Sequence, residues 1–163
     1  MKRIISILIS VMIVFSSIGT VAFSTSDTHW AYSYITGMIN DKIISGDENG
    51  NLNLDALITR AEFVKTINRY FNLTEKSING FSDVAENKWY YNEMLIAKQA
   101  GYIKGDENGF ANPELNITRA EVSVIIARLL GISDNTNYSF ADFYDIPDWA
   151  KGAVGALFAK QVL

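Results

Sequence analysis

The segment Ile58-Thr59-Arg60-Ala61-Glu62 recurs unchanged as Ile117-Thr118-Arg119-Ala120-Glu121, and this repetition decides the fold. In each copy a Thr stands three residues before a Glu, which is the pattern of a capping box at a helix start. The Thr hydroxyl accepts a hydrogen bond from the Glu amide, and the Glu carboxylate accepts one from the Thr amide. We therefore predict that helices begin at Thr59 and Thr118 and that Glu62 and Glu121 complete their caps.

Apolar residues follow each start at the i, i+3, i+4 spacing of an amphipathic helix. The two stripes are Phe63, Val64, Ile67, Tyr70 and Phe71, and Val122, Ile125, Ile126, Leu129 and Leu130. A single helix pair cannot bury its own apolar face, so neighbouring units must pack on one another. The pattern predicts a mostly all-α fold of tandem helix–turn–helix repeats.

The repetition extends beyond the helix starts. The turn Gly46-Asp47-Glu48-Asn49-Gly50 returns 59 residues later as Gly105-Asp106-Glu107-Asn108-Gly109, and Trp30 returns as Trp89. A third copy begins at Phe140 and includes Trp149, but it reaches Leu163 without the turn. We predict repeat 1 at 23–80, repeat 2 at 81–139 and a truncated repeat 3 at 140–163. Their first helices are expected at Trp30–Lys42, Trp89–Ala100 and Trp149–Val162.

The first 22 residues have the pattern of a secretory signal peptide. Lys2 and Arg3 precede a 12-residue apolar run, and small and polar residues then lead to Ala22. The run is shorter than the roughly 20 residues that span a bilayer. We predict cleavage after Ala22, secretion, and no membrane span in the mature protein.

Composition restricts the chemistry that the chain can perform. It has no Cys and a single His, His29, which excludes thiolate chemistry and multi-histidine metal sites. No pair of acids stands out from the repeat pattern, so a carboxylate-based glycan hydrolase is not favoured. Loss of Lys2 and Arg3 leaves 12 basic and 18 acidic residues, a net charge of −6, which disfavours nucleic acid as a partner. We expect no enzyme, no cofactor and no metal.

The turn that begins at Asp47 has the alternating oxygen side chains of a calcium loop. An EF-hand loop also requires Gly at position 6 and a bidentate Glu at position 12. Counting from Asp47, those positions hold Leu52 and Ile58. The pattern therefore does not favour a calcium site.

Capping explains Thr59, Glu62, Thr118 and Glu121, but it does not explain Arg60 and Arg119. Each Arg occupies the first helical position, where the helix dipole disfavours a cation. Two explanations stay open: a salt bridge to a carboxylate of another repeat, or an acidic ligand bound bidentately. The three Trp residues are likewise either core residues or flat walls for a sugar ring.

Taken together, these motifs resemble the S-layer homology family over essentially all of residues 23–163. The resemblance rests on the order Phe-x-Asp, Trp, Gly-Asp-x-x-Gly and Thr-Arg-Ala-Glu. The first two elements appear as Phe81-Ser82-Asp83 with Trp89 and as Phe140-Ala141-Asp142 with Trp149. The family implies three repeats about a pseudo-threefold axis, whose grooves bind secondary cell-wall polysaccharide linked to peptidoglycan and often carrying ketal-pyruvate.

The resemblance also assigns roles to residues of this chain. It implies that Arg60 and Arg119 pair with the pyruvate carboxylate. The groove lining it implies is Trp30, Trp89, Trp149, Asp83 and Asp142, with the grooves shaped by Gly46, Asp47, Gly105 and Asp106. The implied function is non-catalytic, non-covalent anchoring of a secreted protein at the cell wall and surface, in the S-layer.

This sequence departs from the family pattern in two places. Thr25 stands where repeat 1 should have its Asp, and repeat 3 lacks both the turn and the Thr-Arg-Ala-Glu helix. One groove is therefore incomplete or must be supplied by another chain. The alternative function is a structural or assembly protein whose third repeat is completed by a partner chain or by self-association.

Overall fold

The computed structural model describes residues 29–47, 49–138 and 140–162. The predicted signal peptide, and the stretch of repeat 1 that contains Thr25, lie outside the described residues. The helices of the described part are α1 (Tyr32–Asn40), α2 (Arg60–Tyr70), α3 (Tyr91–Gln99), α4 (Arg119–Leu129) and α5 (Asp148–Ala159). Among the described residues, extended segments pair at one isolated antiparallel β-bridge, between Thr59 and Asn116. The predicted all-α class is confirmed, and the threefold arrangement stays a prediction.

The first helix of each repeat is shorter than its predicted range. Both α1 and α3 begin two residues after their Trp, whereas Trp149 lies in the first turn of α5. The helices end where the chain turns left-handed, at Lys42 (φ 59°), Gly101 (φ 78°) and Gln161 (φ 58°). These positions are equivalent in the three repeats, and only one of them holds the Gly that this backbone conformation favours.

The described residues divide between Leu54 and Asp55 into two compact units. The first unit contains α1 and the turn that begins at Gly46. In this turn the Asp47 carboxylate accepts hydrogen bonds from the Asn49 and Asn51 amides, both at 2.9 Å. These bonds fold the turn back on itself, and Gly50 (φ 81°) allows the reversal.

The second unit has a core in which α2 packs against α3 and α4 packs against α5. Its largest fully buried side chains are Tyr102, Met94, Ile103, Ile125, Leu157 and Val64. The buried polar group Asn68 is satisfied, because it donates to the Glu93 side chain at 2.8 Å and accepts from the Tyr102 hydroxyl at 2.6 Å. Burial raises the pKa of Tyr102, which therefore acts as a hydrogen-bond donor inside the core.

Helix α5 approaches the preceding loop very closely. A Cβ on Gly155 would lie 2.1 Å from the Asn135 carbonyl oxygen, and one on Gly152 would lie 2.6 Å from the Asp134 side chain. The Asn135 amide donates to the Gly152 carbonyl at 2.9 Å. The two Gly residues therefore permit backbone contact between α5 and the loop that ends repeat 2.

Candidate functional site

The start of α2 is joined to repeat 2 by backbone hydrogen bonds, and we call this junction the seam. The Arg60 and Ala61 amides donate to the Leu115 and Pro113 carbonyls at 2.8 and 2.9 Å. In the reverse direction the Ile117 amide donates to the Ile58 carbonyl at 3.1 Å. Because the first amides of a helix have no partner within it, the seam satisfies two of the donors at the start of α2.

Both predicted capping boxes are present in the structure. The amides of Thr59 and Thr118 donate to one oxygen of their Glu, Glu62 at 2.8 Å and Glu121 at 2.9 Å. In repeat 2 the other carboxylate oxygen of Glu121 accepts from Nη1 of Arg60 at 2.7 Å. One Glu therefore caps its own helix and also binds the Arg of the preceding repeat.

The electrostatics of Glu121 reflect both roles. Burial would raise the pKa of this carboxyl, but hydrogen bonds from Thr118 and the charge of Arg60 outweigh burial, so the pKa is lowered. The Arg60 side chain is only 19% exposed, and its Nε is buried without a hydrogen-bond partner among the described residues. The sequence left two partners open for Arg60, a carboxylate of another repeat or an acidic ligand. The structure shows the first, a salt bridge to Glu121.

Arg119 occupies a different environment, although its sequence context is the same. It is exposed, and it forms no ion pair within the described part of the chain. The carboxylate equivalent to Glu121 would come from a further Thr-Arg-Ala-Glu segment. The two guanidinium groups therefore differ in their surroundings. The Glu121 carboxylate balances the charge of Arg60, whereas no described carboxylate balances the charge of Arg119.

A cleft of about 570 Å³ opens beside the seam. Its lining includes Arg60, Asn112, Asn116, Glu121, Asp145 and Trp149. Trp149 is 59% exposed, and it adds an apolar aromatic surface to a lining whose other side chains can donate and accept hydrogen bonds. A large apolar surface with a few convergent polar groups is typical of a ligand site, and this combination suits a sugar ring.

The other aromatic and acidic residues implied by the resemblance have separate positions. Trp30 is exposed in the first unit, and Trp89 is exposed in the second, with Lys65 Nζ 5.2 Å from its ring centre. Asp83 accepts from the Ala111 and Asn112 amides at 2.8 and 2.7 Å, so it braces the loop that forms the cleft. Asp142 is exposed, and it does not line the cleft.

The Gly-Asp turns have an internal role in both units. Asp106 accepts from the Asn108 and Phe110 amides at 2.9 Å, as Asp47 does from its own turn. Gly105 has φ 78°, and a Cβ on Gly46 would lie 2.6 Å from the Gly50 carbonyl carbon. These four residues shape their turns through contacts within the turn.

The sequence analysis missed three polar residues of the cleft, Asn112, Asn116 and Asp145. Asn112 has a repeat counterpart in Asn53, and both have a left-handed backbone (φ 52° and 47°), so the repeat could have identified it. Asn116 could have been found through its place beside the second Thr-Arg-Ala-Glu start. Asp145 lies three residues after the Asp of its Phe-x-Asp motif, as Glu86 does in repeat 2. This shared acidic position could have drawn attention to it.

Comparisons with known proteins agree with this architecture of capped helical repeats. The family described as "S-layer homology domain" matches residues 22–64 and 80–123, which is more than half of the chain. The chain belongs to the S-layer homology domain family. This membership indicates a location at the cell surface. No helix of the described residues is long and apolar enough to cross a membrane.

Several curated relatives share most of this chain. The exoglucanase XynX of Acetivibrio thermocellus is 33% identical over 83% of this chain and 13% of its own length. The cellulosome-anchoring protein of the same species is 33% identical over 74% of this chain and 28% of its length. The surface-layer 125 kDa protein of Lysinibacillus sphaericus is 26% identical over 82% of this chain and 12% of its length. The chain thus spans less than a third of each of these relatives.

Proposed function

We propose that this chain is a non-catalytic anchor that holds a protein at the cell surface by binding a cell-wall polysaccharide in the cleft beside Arg60. The observation that carries the proposal is the cleft itself, whose lining combines the exposed Trp149 with Asn and carboxylate side chains. The indole would stack on one face of a sugar ring. Asn112, Asn116 and Asp145 would bind its hydroxyl groups.

The charges around the cleft suggest where an acidic polymer would be bound. Within the cleft the charge of Arg60 is opposed by Glu121 and Asp145, so this region favours neutral sugar hydroxyls. The buried Nε of Arg60 still offers one donor that no described residue uses. We propose that an acidic substituent, such as pyruvate ketal, meets the exposed guanidinium of Arg119, where no described carboxylate competes. A bidentate Arg–carboxylate pair supplies the strength that an exposed site needs.

The comparisons favour a non-enzymatic role. An exoglucanase, a cellulosome-anchoring protein and a surface-layer protein all share this segment, although their names describe different activities. The match covers 13% of the exoglucanase. A segment shared by proteins of such different activity supplies a common property, and attachment to the envelope is one that all three can use.

Cosedimentation with purified wall sacculi tests the proposal. The secreted protein is mixed with sacculi that retain their polysaccharide and, in parallel, with sacculi from which it has been chemically stripped. We expect the protein to pellet with the first and to stay in solution with the second. Equal pelleting with stripped sacculi would reject polysaccharide as the partner. Release of soluble sugar from intact sacculi by the purified chain would instead support a carboxylate-based glycan hydrolase.

A further inference from the structure

The dipeptide Asn-Gly occurs three times in this chain, at Asn49-Gly50, Asn79-Gly80 and Asn108-Gly109. A Gly after Asn favours loss of the Asn side-chain amide, because Gly has no side chain to hinder attack by its backbone nitrogen on the Asn side chain. All three Asn residues are exposed. Exposure therefore does not distinguish the three pairs, whereas the hydrogen bonding of the Gly nitrogen does.

Two of the three pairs lie in the hydrogen-bonded Gly-Asp turns. The Gly50 amide donates to the Asp47 carbonyl at 2.9 Å, and the Gly109 amide donates to the Asp106 carbonyl at 3.0 Å. In both turns the Asn amide also donates to the carboxylate of the same Asp, at 2.9 Å. The Gly nitrogen cannot turn towards the Asn side chain until the turn opens, so both pairs are protected.

The third pair lies on the loop that joins α2 to α3, outside any such turn. Among the described residues, the Gly80 amide donates to no backbone carbonyl. No hydrogen-bonded turn therefore has to open before the Gly80 nitrogen approaches the side chain of Asn79. The same dipeptide is thus locked at two places in the fold and open at a third.

We propose that Asn79 is a site of spontaneous deamidation in the folded, secreted protein, with water as the co-reactant. The Gly80 nitrogen bonds to Cγ of Asn79, and the bond from Cγ to the side-chain nitrogen breaks. That nitrogen takes the Gly80 amide proton and leaves as ammonia, and a five-membered imide remains. Water then opens the imide at either of its carbonyls, which gives aspartate or an isoaspartyl link.

The reaction changes the loop between repeat 1 and repeat 2. Each event adds one negative charge to a chain that is already acidic, and an isoaspartyl link also adds a methylene to the backbone. The loop is held on both sides of this link, because the Ser77 amide donates to the Leu95 carbonyl at 3.1 Å and Phe81 is buried. The longer backbone must therefore bulge between these two points. The reaction needs no ligand in the cleft, so the inference is independent of the proposed function.

Peptide mapping by mass spectrometry follows all three sites in one incubated sample of the secreted protein. Asn79 and Asn108 are both followed by Gly-Phe, so the reacting groups are matched in sequence. In the folded chain we expect Asn79 to deamidate at least about tenfold faster than Asn49 or Asn108, because reaction in the turns requires local opening. In concentrated urea, where the turns are lost, Asn79 and Asn108 should react at similar rates.

The variant Gly80→Ala tests the role of the Gly nitrogen. The added Cβ would lie 3.6 Å from Cδ2 of Leu95, an ordinary contact distance, and Gly80 does not have a positive φ, so the variant should fold. We expect its methyl group to slow reaction at Asn79 at least about tenfold and to leave the rate at Asn108 unchanged.

Four results would overturn the proposal. They are equal rates at Asn79 and Asn108 in the folded chain, a difference between them that persists unchanged in urea, a product that is aspartate without any isoaspartyl form, and an undiminished rate at Asn79 in folded Gly80→Ala. The second result would assign the difference to local sequence, and the third would exclude the imide. If Gly80→Ala does not fold, the comparison of folded and urea-unfolded wild type decides alone.

Discussion

The Arg60 guanidinium lies 2.7 Å from the Glu121 carboxylate, so the first residue of one capped helix is bound by the capping residue of the next. The contact joins two repeats through groups that each repeat carries in the same register. It also explains why a cation is tolerated at a helix start, where the dipole is unfavourable. The opposing carboxylate lies on the neighbouring repeat.

This relationship predicts that two chemically identical substitutions will differ in cost. Glu121→Gln keeps an oxygen that can accept from the Thr118 amide but removes the charge that faces Arg60, whereas Glu62→Gln changes only a cap. We expect Glu121→Gln to lower the free energy of unfolding by about 1 kcal/mol more than Glu62→Gln, because it leaves a partly buried guanidinium unpaired. Urea unfolding of both variants measures the difference. Equal losses would show that the pair contributes nothing to stability.

The same carboxylate predicts an acid-sensitive component of stability. The pKa of Glu121 in the folded chain is lowered from its ordinary value of 4.5, so the folded state holds this proton less tightly than the unfolded state. Its contribution is therefore complete above about pH 4.5 and is lost as the pH falls through the folded pKa. Urea unfolding between neutral and acid pH should show a shallower decline in Glu121→Gln than in wild type. Glu114→Gln serves as the comparison: hydrogen bonds from Lys88 and Tyr90 also lower the pKa of Glu114, but this carboxyl lies at the surface, so its removal should flatten the decline less than Glu121→Gln does.

The sequence could predict what depends on neighbours along the chain, and it could not predict what depends on the other repeat. Both capping boxes follow from a Thr and a Glu three residues apart, so the sequence alone is enough to predict them. The contact between the second carboxylate oxygen of Glu121 and Arg60 could not be predicted, because capping already accounted for Glu121. Asp145 reaches the cleft through tertiary folding, and an acidic residue three positions after a Phe-x-Asp motif does not by itself indicate this. Exposure of Trp149 depends on which elements cover it, and periodicity does not report this.

The different backbone conformations of Gly101 and Gly37 predict opposite effects of replacing each with Ala. Gly101 has φ 78°, and a Cβ added there would meet no atom within 4 Å, so Gly101→Ala is strained by its backbone alone. We expect it to lower the free energy of unfolding by about 1 kcal/mol. Gly37 is equally uncrowded but lies inside α1 without a positive φ, so Gly37→Ala should stabilise the chain by about 0.5–1 kcal/mol. Thermal unfolding compares the two, and shifts of the same sign would contradict this account.

Close packing of α5 predicts a larger loss at Gly155. A methyl group there would meet the Asn135 carbonyl oxygen at 2.1 Å, and this backbone atom cannot move without moving the loop. We expect Gly155→Ala to cost about 1–3 kcal/mol, in the range typical of overpacking. It should also accelerate hydrogen exchange at the Asn135 amide, which donates to the Gly152 carbonyl. Exchange that increases only elsewhere in the chain would show that the contact is not the source of the loss.

The position of Trp149 in the cleft lining predicts that its replacement will weaken sugar binding, whereas replacement of Tyr144, which is exposed outside the cleft, will not. Trp149 is 59% exposed and lines the cleft, whereas Tyr144 is 93% exposed and does not. Neither residue is part of the buried core, so replacement by Ala should leave thermal stability nearly unchanged in both. Trp149→Ala should weaken binding to intact sacculi at least about tenfold, because loss of a stacked aromatic surface at a binding site costs about 1.4 kcal/mol or more. Tyr144→Ala should bind like wild type, and a matching loss in both variants would place the polysaccharide elsewhere on the surface.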